Sequence, residues 1–220
     1  MTKLYFKNRA EAGRYLAKDL SHYAKMNCAV VALSEGGVLV GEQIARKLHG
    51  SLSLLLTEKI MLPGESEAVA ALSSAGTFTY NGMYSTGQLE EFNSEYRSYI
   101  EQQRLEKFHL LNLMSGKDGE VHRELLRHHV VILVSDGLNS GFSLDIATDF
   151  LKPIFTKKII IATPIASLDA VDRMHILADS ISCLRVVENY ISTDHYYDDN
   201  SIPENDDLRG VMRDIILSWD

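Results

Sequence analysis

The sequence predicts an α/β fold, a central mostly parallel sheet flanked by helices, and three observations point to it. Short apolar runs alternate with helix-period blocks along the chain. Turns of small residues follow the apolar runs at their carboxyl ends, where open α/β sheets hold ligands. The strongest run, Val130 to Val134, carries no polar residue, as expected of a strand buried on both faces. With 220 residues, 45% of them apolar, the chain can bury one full core. A single domain over residues 1–220 is expected, with its core at about 26–187. A smaller hood is expected from the N-terminal helix, a 60–115 insert containing a hairpin, and residues 188–220.

Each element follows from local chemistry. Asn8 and Glu11 have capping-box spacing, and Leu16, Leu20 and Tyr23 continue a helical stripe to about residue 25. Cys28 to Leu33 reads as a strand, Ser34-Glu35-Gly36-Gly37 as a tight turn, and Val38, Ile44 and Leu48 as a helix closed by Gly50. Ser51 to Thr57 reads as a second strand. Pro63-Gly64 marks a loop before a hairpin, AVAALS then TFTYN, that turns at Ser74-Ala75-Gly76. Leu89, Phe92, Tyr96, Tyr99, Ile100, Leu105, Phe108 and Leu111 describe one long helix from Gln88 to Met114 with its apolar stripe in the core. Gly116 to Gly119 reads as a loop. Beyond Val130–Val134 follow a strand from Ile159 to Thr163, a helix from Leu168 to Leu177, and a last central strand from Ile181 to Val187. An acidic, tyrosine-rich surface stretch, DHYYDDNSIPENDD, precedes a closing helix from Leu208 to Trp219.

Charge and composition narrow the function classes. Thirty acids against 22 lysines and arginines give a formal charge of −8, so nucleic acid or anionic lipid held by bulk attraction is not expected. No apolar run approaches the roughly 18 residues that span a bilayer. The N-terminus is charged and amphipathic where a secretion signal would be apolar, so a cytoplasmic setting is expected. Cys28 and Cys183 read as reduced, buried thiols.

The most informative segment is VVILVSDGLNSGFSLDIA, residues 130–147. It reads as a buried strand with an acid, Asp136, at its carboxyl end, then a turn of small residues and a helix start. Backbone N–H groups of Asn139, Ser140, Gly141, Phe142 and Ser143 converging at a helix N-terminus suit a phosphate, and the two serine hydroxyls can donate to it. The alternative is that Ser140 and Ser143 only cap the helix. His128-His129 point to opposite faces of a strand and do not suggest a metal pair. Asp194, His195, Asp198 and Asp199 could ligate a metal, but they lack defined ligand spacing and read better as an acidic surface loop. Tyr196 and Tyr197 could stack on a base or a neighbouring subunit, or cover the sheet edge.

The segment resembles the phosphoribosyl diphosphate (PRPP) motif of type I phosphoribosyltransferases, with Ser140-Gly141-Phe142-Ser143 in place of Thr-Gly-x-Thr. The chain is also similar to a bacterial group of that superfamily through five further stretches. These are Arg9-Ala10-Glu11-Ala12-Gly13, Leu33-Ser34-Glu35-Gly36-Gly37-Val38, Lys59 with Leu62-Pro63-Gly64-Glu65-Ser66-Glu67, Pro164-Ile165-Ala166, and Ile215-Ile216-Leu217-Ser218-Trp219. The resemblance implies displacement of diphosphate from C1 of PRPP by a nitrogenous base, with Mg²⁺ on the diphosphate. It further implies a 5′-phosphate at Asn139, Ser140, Gly141, Phe142 and Ser143, and a diphosphate loop at Ser34, Glu35, Gly36 and Gly37. By the same correspondence Lys59 reaches the diphosphate, and Asp136 binds a ribose hydroxyl or lies near the metal. A homodimer and a small-molecule phosphoribosyl or nucleotide ligand are also implied.

Three positions depart from the pattern. Ser135 replaces the first of two acids, Glu35 an arginine of the diphosphate loop, and Glu58 an arginine before Lys59. A charge reversal facing a phosphate costs about 1 kcal/mol after screening, close to tenfold in affinity. Asn139 stands where purine-salvage members place an acid, and an amide cannot take up a proton at neutral pH. Two functions therefore stand side by side: a phosphoribosyltransferase of altered specificity, and a non-catalytic homologue that binds a nucleotide or phosphorylated ribose.

Overall fold

The computed structural model describes residues 5–115 and 121–217. In chain order the elements are α1 (Arg9–Asp19), β1 (Cys28–Ala32), α2 (Glu35–Leu48), β2 (Ser51–Leu54), β3 (Thr57–Ile60), β4 (Ala70–Ser73), β5 (Phe78–Tyr80), α3 (Thr86–Glu95), α4 (Arg97–Ser115), β6 (Val130–Val134), α5 (Phe142–Leu151), β7 (Lys158–Ser167), α6 (Leu168–Leu177), β8 (Ser180–Val187) and α7 (Asn205–Leu217). Five strands form a parallel sheet in the order β2-β1-β6-β7-β8, and β3, β4 and β5 form a separate antiparallel sheet.

The period-2 alternation of the strands sorts the core into two layers. Val30, Ile132 and Ile160 pack with Leu16 of α1, Ile44 of α2 and Met212 of α7 on one face. Val31, Leu133 and Ile161 pack with Leu144 and Phe150 of α5 and Met174 of α6 on the other. All five residues of β6 are buried at the sheet centre, as its unbroken apolar run requires. In the small sheet Ile60 and Ala70 pack against Ile100 of α4. Among the described residues no helix is long and apolar enough to cross a membrane.

Several boundaries differ from the expectation, each for a physical reason. The stretch read as one strand from Ser51 to Thr57 changes sheets: β2 runs parallel to β1, and after Leu55 and Leu56 the chain becomes β3, antiparallel to β4. Residues 55 and 56 are buried at the switch, so an apolar run could not reveal the turn. The long helix breaks at Tyr96, whose φ of −111° and ψ of 19° leave the helical basin, giving α3 and α4. Its apolar stripe is only partly core, for Ile100 and Leu111 are buried while Leu105 is 70% exposed. His49, in the left-handed conformation, closes α2 one residue before Gly50. The last strand, β8, is an edge strand and not a central one.

The acidic tyrosine-rich stretch is not simply surface. Tyr196 and Tyr197 are buried, and Phe6 N–H donates to the Tyr196 carbonyl at 2.9 Å, tying the stretch before α1 to the segment after β8. Cys28 is buried, whereas Cys183 on the edge strand is only partly so. The closing helix starts at Asn205. The loop read at Gly116 to Gly119 and the end of that helix, Ser218 and Trp219, lie outside the described residues.

The central and edge positions of the sheet should respond differently to truncation. Ile132→Ala is expected to destabilise the fold by about 2–5 kcal/mol through loss of apolar burial and a cavity at the sheet centre. Val186→Ala on the half-open edge strand should stay within about 0.5 kcal/mol. Urea denaturation of the two variants checks the contrast, and equal losses would contradict the strand order.

Candidate functional site

The carboxyl ends of β1, β6 and β7 meet at one end of the sheet, and two groups of residues assemble there. The first is centred on Asp136, which is 6% exposed. Arg9 at the start of α1 donates from Nε to Asp136 Oδ2 at 2.7 Å, and the Ser34 hydroxyl donates to Oδ1 at 2.7 Å. Ser34 Oγ in turn accepts from Gly37 N–H at 2.9 Å, capping α2. Arg9 also reaches Asp194 Oδ1 at 2.6 Å and lies over the Tyr197 ring, 4.8 Å from its centroid. The Tyr197 hydroxyl donates to the Asp136 carbonyl at 2.5 Å.

A side chain at position 36 would have no room in this cluster. A Cβ on Gly36 would stand 2.0 Å from Asp136 Oδ2 and 2.5 Å from Arg9 Nε, so glycine is required by close approach. Burial works against the Arg9 charge, but its bonds to Asp136 and Asp194 outweigh that and raise its pKa. Burial, with the Asp136 charge, pushes the Tyr197 hydroxyl well above the usual tyrosine range. Tyr190 is pushed up to about 12, chiefly by burial.

The second group lies in the turn after β6. Leu138 extends the sheet beside the end of β7, donating to the Ile165 carbonyl and accepting from Ser167 N–H. The Ser167 hydroxyl donates to the Asn139 carbonyl and accepts from Ala170 N–H, so one side chain both caps α6 and fixes the turn. Gly141, with φ of +70°, leads into α5 without a side-chain cap. The Ser140 and Ser143 hydroxyls make no hydrogen bond to another described residue, so they do not serve as helix caps.

A cavity of about 400 Å³ joins this turn to the small sheet. Its walls include Lys59 of β3, Asn81 and Met83 after β5, Asn139, Ser140 and Phe142 of the turn, and Arg173 of α6. Arg173 donates from Nε to Asp145 Oδ1 at 2.8 Å and pairs with the same carboxylate through a terminal nitrogen. Lys59 is exposed to the cavity.

The structure thus brings together four of the sequence-predicted positions, Lys59, Asn139, Ser140 and Phe142, with Gly141 and Ser143 on the same turn. It holds Asp136 with Ser34, Glu35, Gly36 and Gly37 apart from them, in the first turn of α2 and the buried cluster. Glu58, read either as facing the same anion as Lys59 or as a solvated side chain at a strand end, fits neither: neighbours on a strand point to opposite faces, and Glu58 accepts from Lys107 Nζ of α4 at 3.1 Å. Ser135 turns back on its own loop, donating to the Gly137 carbonyl at 2.9 Å. Three residues were missed: Arg9, Arg173 and Asp145. Arg9 carried a signal, since a lone arginine on the inward stripe of an amphipathic helix needs a buried acid.

A Mg²⁺ coordinated directly by Asp136 does not fit this site. Both carboxylate oxygens already accept from Arg9 and Ser34, and the described residues contain no group of three or more His, Cys, Asp or Glu able to hold a metal. This concerns only a metal held by Asp136 itself, since Mg²⁺ on a diphosphate takes phosphate and water oxygens as its main ligands.

Comparison with known proteins points one way. A family model described as the phosphoribosyl transferase domain matches residues 3–199. Two curated Mycobacterium tuberculosis proteins, from strains CDC 1551 and H37Rv, are each 29% identical over 185 residues, and their names provisionally assign them as phosphoribosyl transferases. That match covers 81% of this chain and 40% of those proteins, so the chain spans well under half of their length. The crystal structure of a protein from Thermus thermophilus superposes with a TM-score of 0.75 at 25% identity, covering 98% of this chain and 99% of that one.

Two measurements probe the Asp136 cluster. Arg9→Met leaves a buried carboxylate without its charge partner and should cost about 3–5 kcal/mol in urea denaturation. Adding Asp136→Asn removes the orphan charge and should recover part of that loss; no recovery would mean that the pair is not what Arg9 supports. Tyr190 gives a pH signature. Because its folded pKa of about 12 lies above the unfolded value near 10, the folded state holds the proton more tightly. Stability should therefore fall as pH rises from about 10 to 12. Tyr190→Phe should lessen that fall in denaturation curves taken across the interval, the remainder coming from Tyr197, which burial also pushes up.

Proposed function

Because the chain belongs to the phosphoribosyl transferase domain family, we propose that it binds PRPP or a nucleotide in the cavity beside residues 139–143 and transfers the phosphoribosyl group to or from a nitrogenous base. The observation that carries this is the cavity itself: it unites a small-residue turn at a helix N-terminus with a cation from each side, Lys59 and Arg173. Backbone N–H groups and the unengaged Ser140 and Ser143 hydroxyls suit the three terminal oxygens of a 5′-phosphate.

In this reading the protein contributes positioning and charge. Departure of diphosphate leaves an oxocarbenium-like ribose, and the Lys59 ammonium stabilises the charge that develops on the leaving group. Asn139 can orient an acceptor through its amide but cannot take its proton, so as the C1–N bond forms and the C1–O bond to diphosphate breaks, the acceptor's proton passes to the departing diphosphate or to water. Asp136 organises the loops through Arg9 and Ser34. Its oxygens are already engaged, so no step is routed through it or through Mg²⁺ bound to it. A homodimer, a cytoplasmic setting and a small-molecule ligand belong to the same proposal.

The occupied Asp136 carboxylate favours a second reading, a non-catalytic homologue that keeps the phosphate turn and binds a phosphorylated ribose or nucleotide. Calorimetric titration with PRPP and Mg²⁺, beside a nucleoside 5′-monophosphate, separates the two. Transfer predicts that both bind and that PRPP is consumed with some nitrogenous base, whereas the second reading predicts monophosphate binding without turnover. Ser140→Asp places a carboxylate against the phosphate and should abolish monophosphate binding while the melting temperature is kept; unchanged affinity would remove the phosphate from this turn.

A further inference from the structure

Arg173 sits where neither the motif at residues 130–147 nor any other stretch of the sequence drew attention. A Cβ built on Gly141 would lie 3.0 Å from Arg173 Cβ and 3.2 Å from its Cγ, so the arginine stem rests directly on the turn that leads into α5. At its far end, a Cβ on Gly82 would lie 3.6 Å from a terminal guanidinium nitrogen. The guanidinium thus bridges the mouth of the cavity between the turn and the segment after β5. Its Nε and one terminal nitrogen are committed to a single oxygen of Asp145, while a guanidinium has five N–H donors in all. The other terminal nitrogen makes no hydrogen bond to a described residue. The Asp145 side chain is 12% exposed against 35% for Arg173, so the acid is the fixed member and the arginine the presented one.

We propose that Arg173, contributed by α6 and oriented by Asp145, is a ligand-binding residue of this site, and that the remaining guanidinium N–H donors take an oxygen of the phosphate bound at residues 140–143. The inference rests on the phosphate placement proposed above, and it assigns that phosphate a side-chain cation in addition to backbone donors. Asp145 is a positioning residue: by holding two donors on one carboxylate oxygen it fixes the plane of the fork, which is what makes arginine and lysine unequal at such a site. The surrounding Asp169, Asp172 and Glu67 make the cavity acidic apart from Arg173 and Lys59, so a bound anion depends on those two cations.

The test is titration of a nucleoside 5′-monophosphate into the full chain over a range of salt. Arg173→Met should weaken binding about tenfold or more, and the dependence of affinity on salt should lessen because one cation is lost. Arg173→Lys should recover only part of the affinity. Since Arg173→Met leaves Asp145 without its partner, the double variant Arg173→Met/Asp145→Asn is measured as well and should show the same loss in a stably folded protein. If both variants bind within twofold of the parent while Ser140→Asp abolishes binding, the phosphate site stands and the role of Arg173 is overturned. If Ser140→Asp also leaves binding unchanged, the phosphate placement itself fails, and this inference with it.

Discussion

The buried pair of Arg9 and Asp136 is the constraint around which the carboxyl end of the parallel sheet is arranged. A buried charge is tolerated only when it is paired and its remaining bonds are met, and meeting those bonds recruits four separate stretches of chain. Arg9 brings the start of α1, Ser34 brings the cap of α2, and Asp194 with Tyr197 brings the segment after β8. Asp136 brings the end of the central strand. Gly36 is the corresponding geometric condition, since any Cβ there would occupy the space of the pair.

That arrangement separates two tasks that lie close together in the chain. Ser34, Gly36 and Asp136 are spent on holding loops, whereas Asn139, Ser140 and Phe142 line the cavity together with Lys59 and Arg173. The division follows from how the turn is fixed. Leu138 is pinned to β7 and Asn139 to Ser167 through the backbone, so the side chains of Ser140 and Ser143 are not needed for structure. The charge reversal at Glu58 likewise loses its force once the strand directs it to Lys107 of α4. Glu35, half-buried in the first turn of α2, keeps a negative charge near this end of the sheet.

Much of the fold was legible because strands buried on both faces and helices buried on one write themselves as periodicity. The order strand, small-residue turn, helix was readable at Cys28–Leu48 and again at Val130–Leu151 from residue types, and the likeness of the second turn to Thr-Gly-x-Thr came from the family resemblance. The limits were equally physical. Leu55 and Leu56 are apolar on either side of a change of sheet, and Tyr96 ends a helix within a stripe that stays apolar through the break. Tyr196 and Tyr197 lie among acids that suggest a surface, yet Arg9 draws that segment inward.

By itself, therefore, the sequence determined the α/β class, the parallel core strands and the turn at 139–143, because these depend on neighbours within a few residues. It could not decide the partners of Asp136, the facing of Glu58 or the presence of Arg173 at the cavity. Those depend on contacts between residues distant in sequence: Arg9 and Asp136 are 127 positions apart, and Arg173 reaches Asp145 across a strand and a helix. Such pairs are set by which elements the sheet order places side by side, and no local pattern encodes that order.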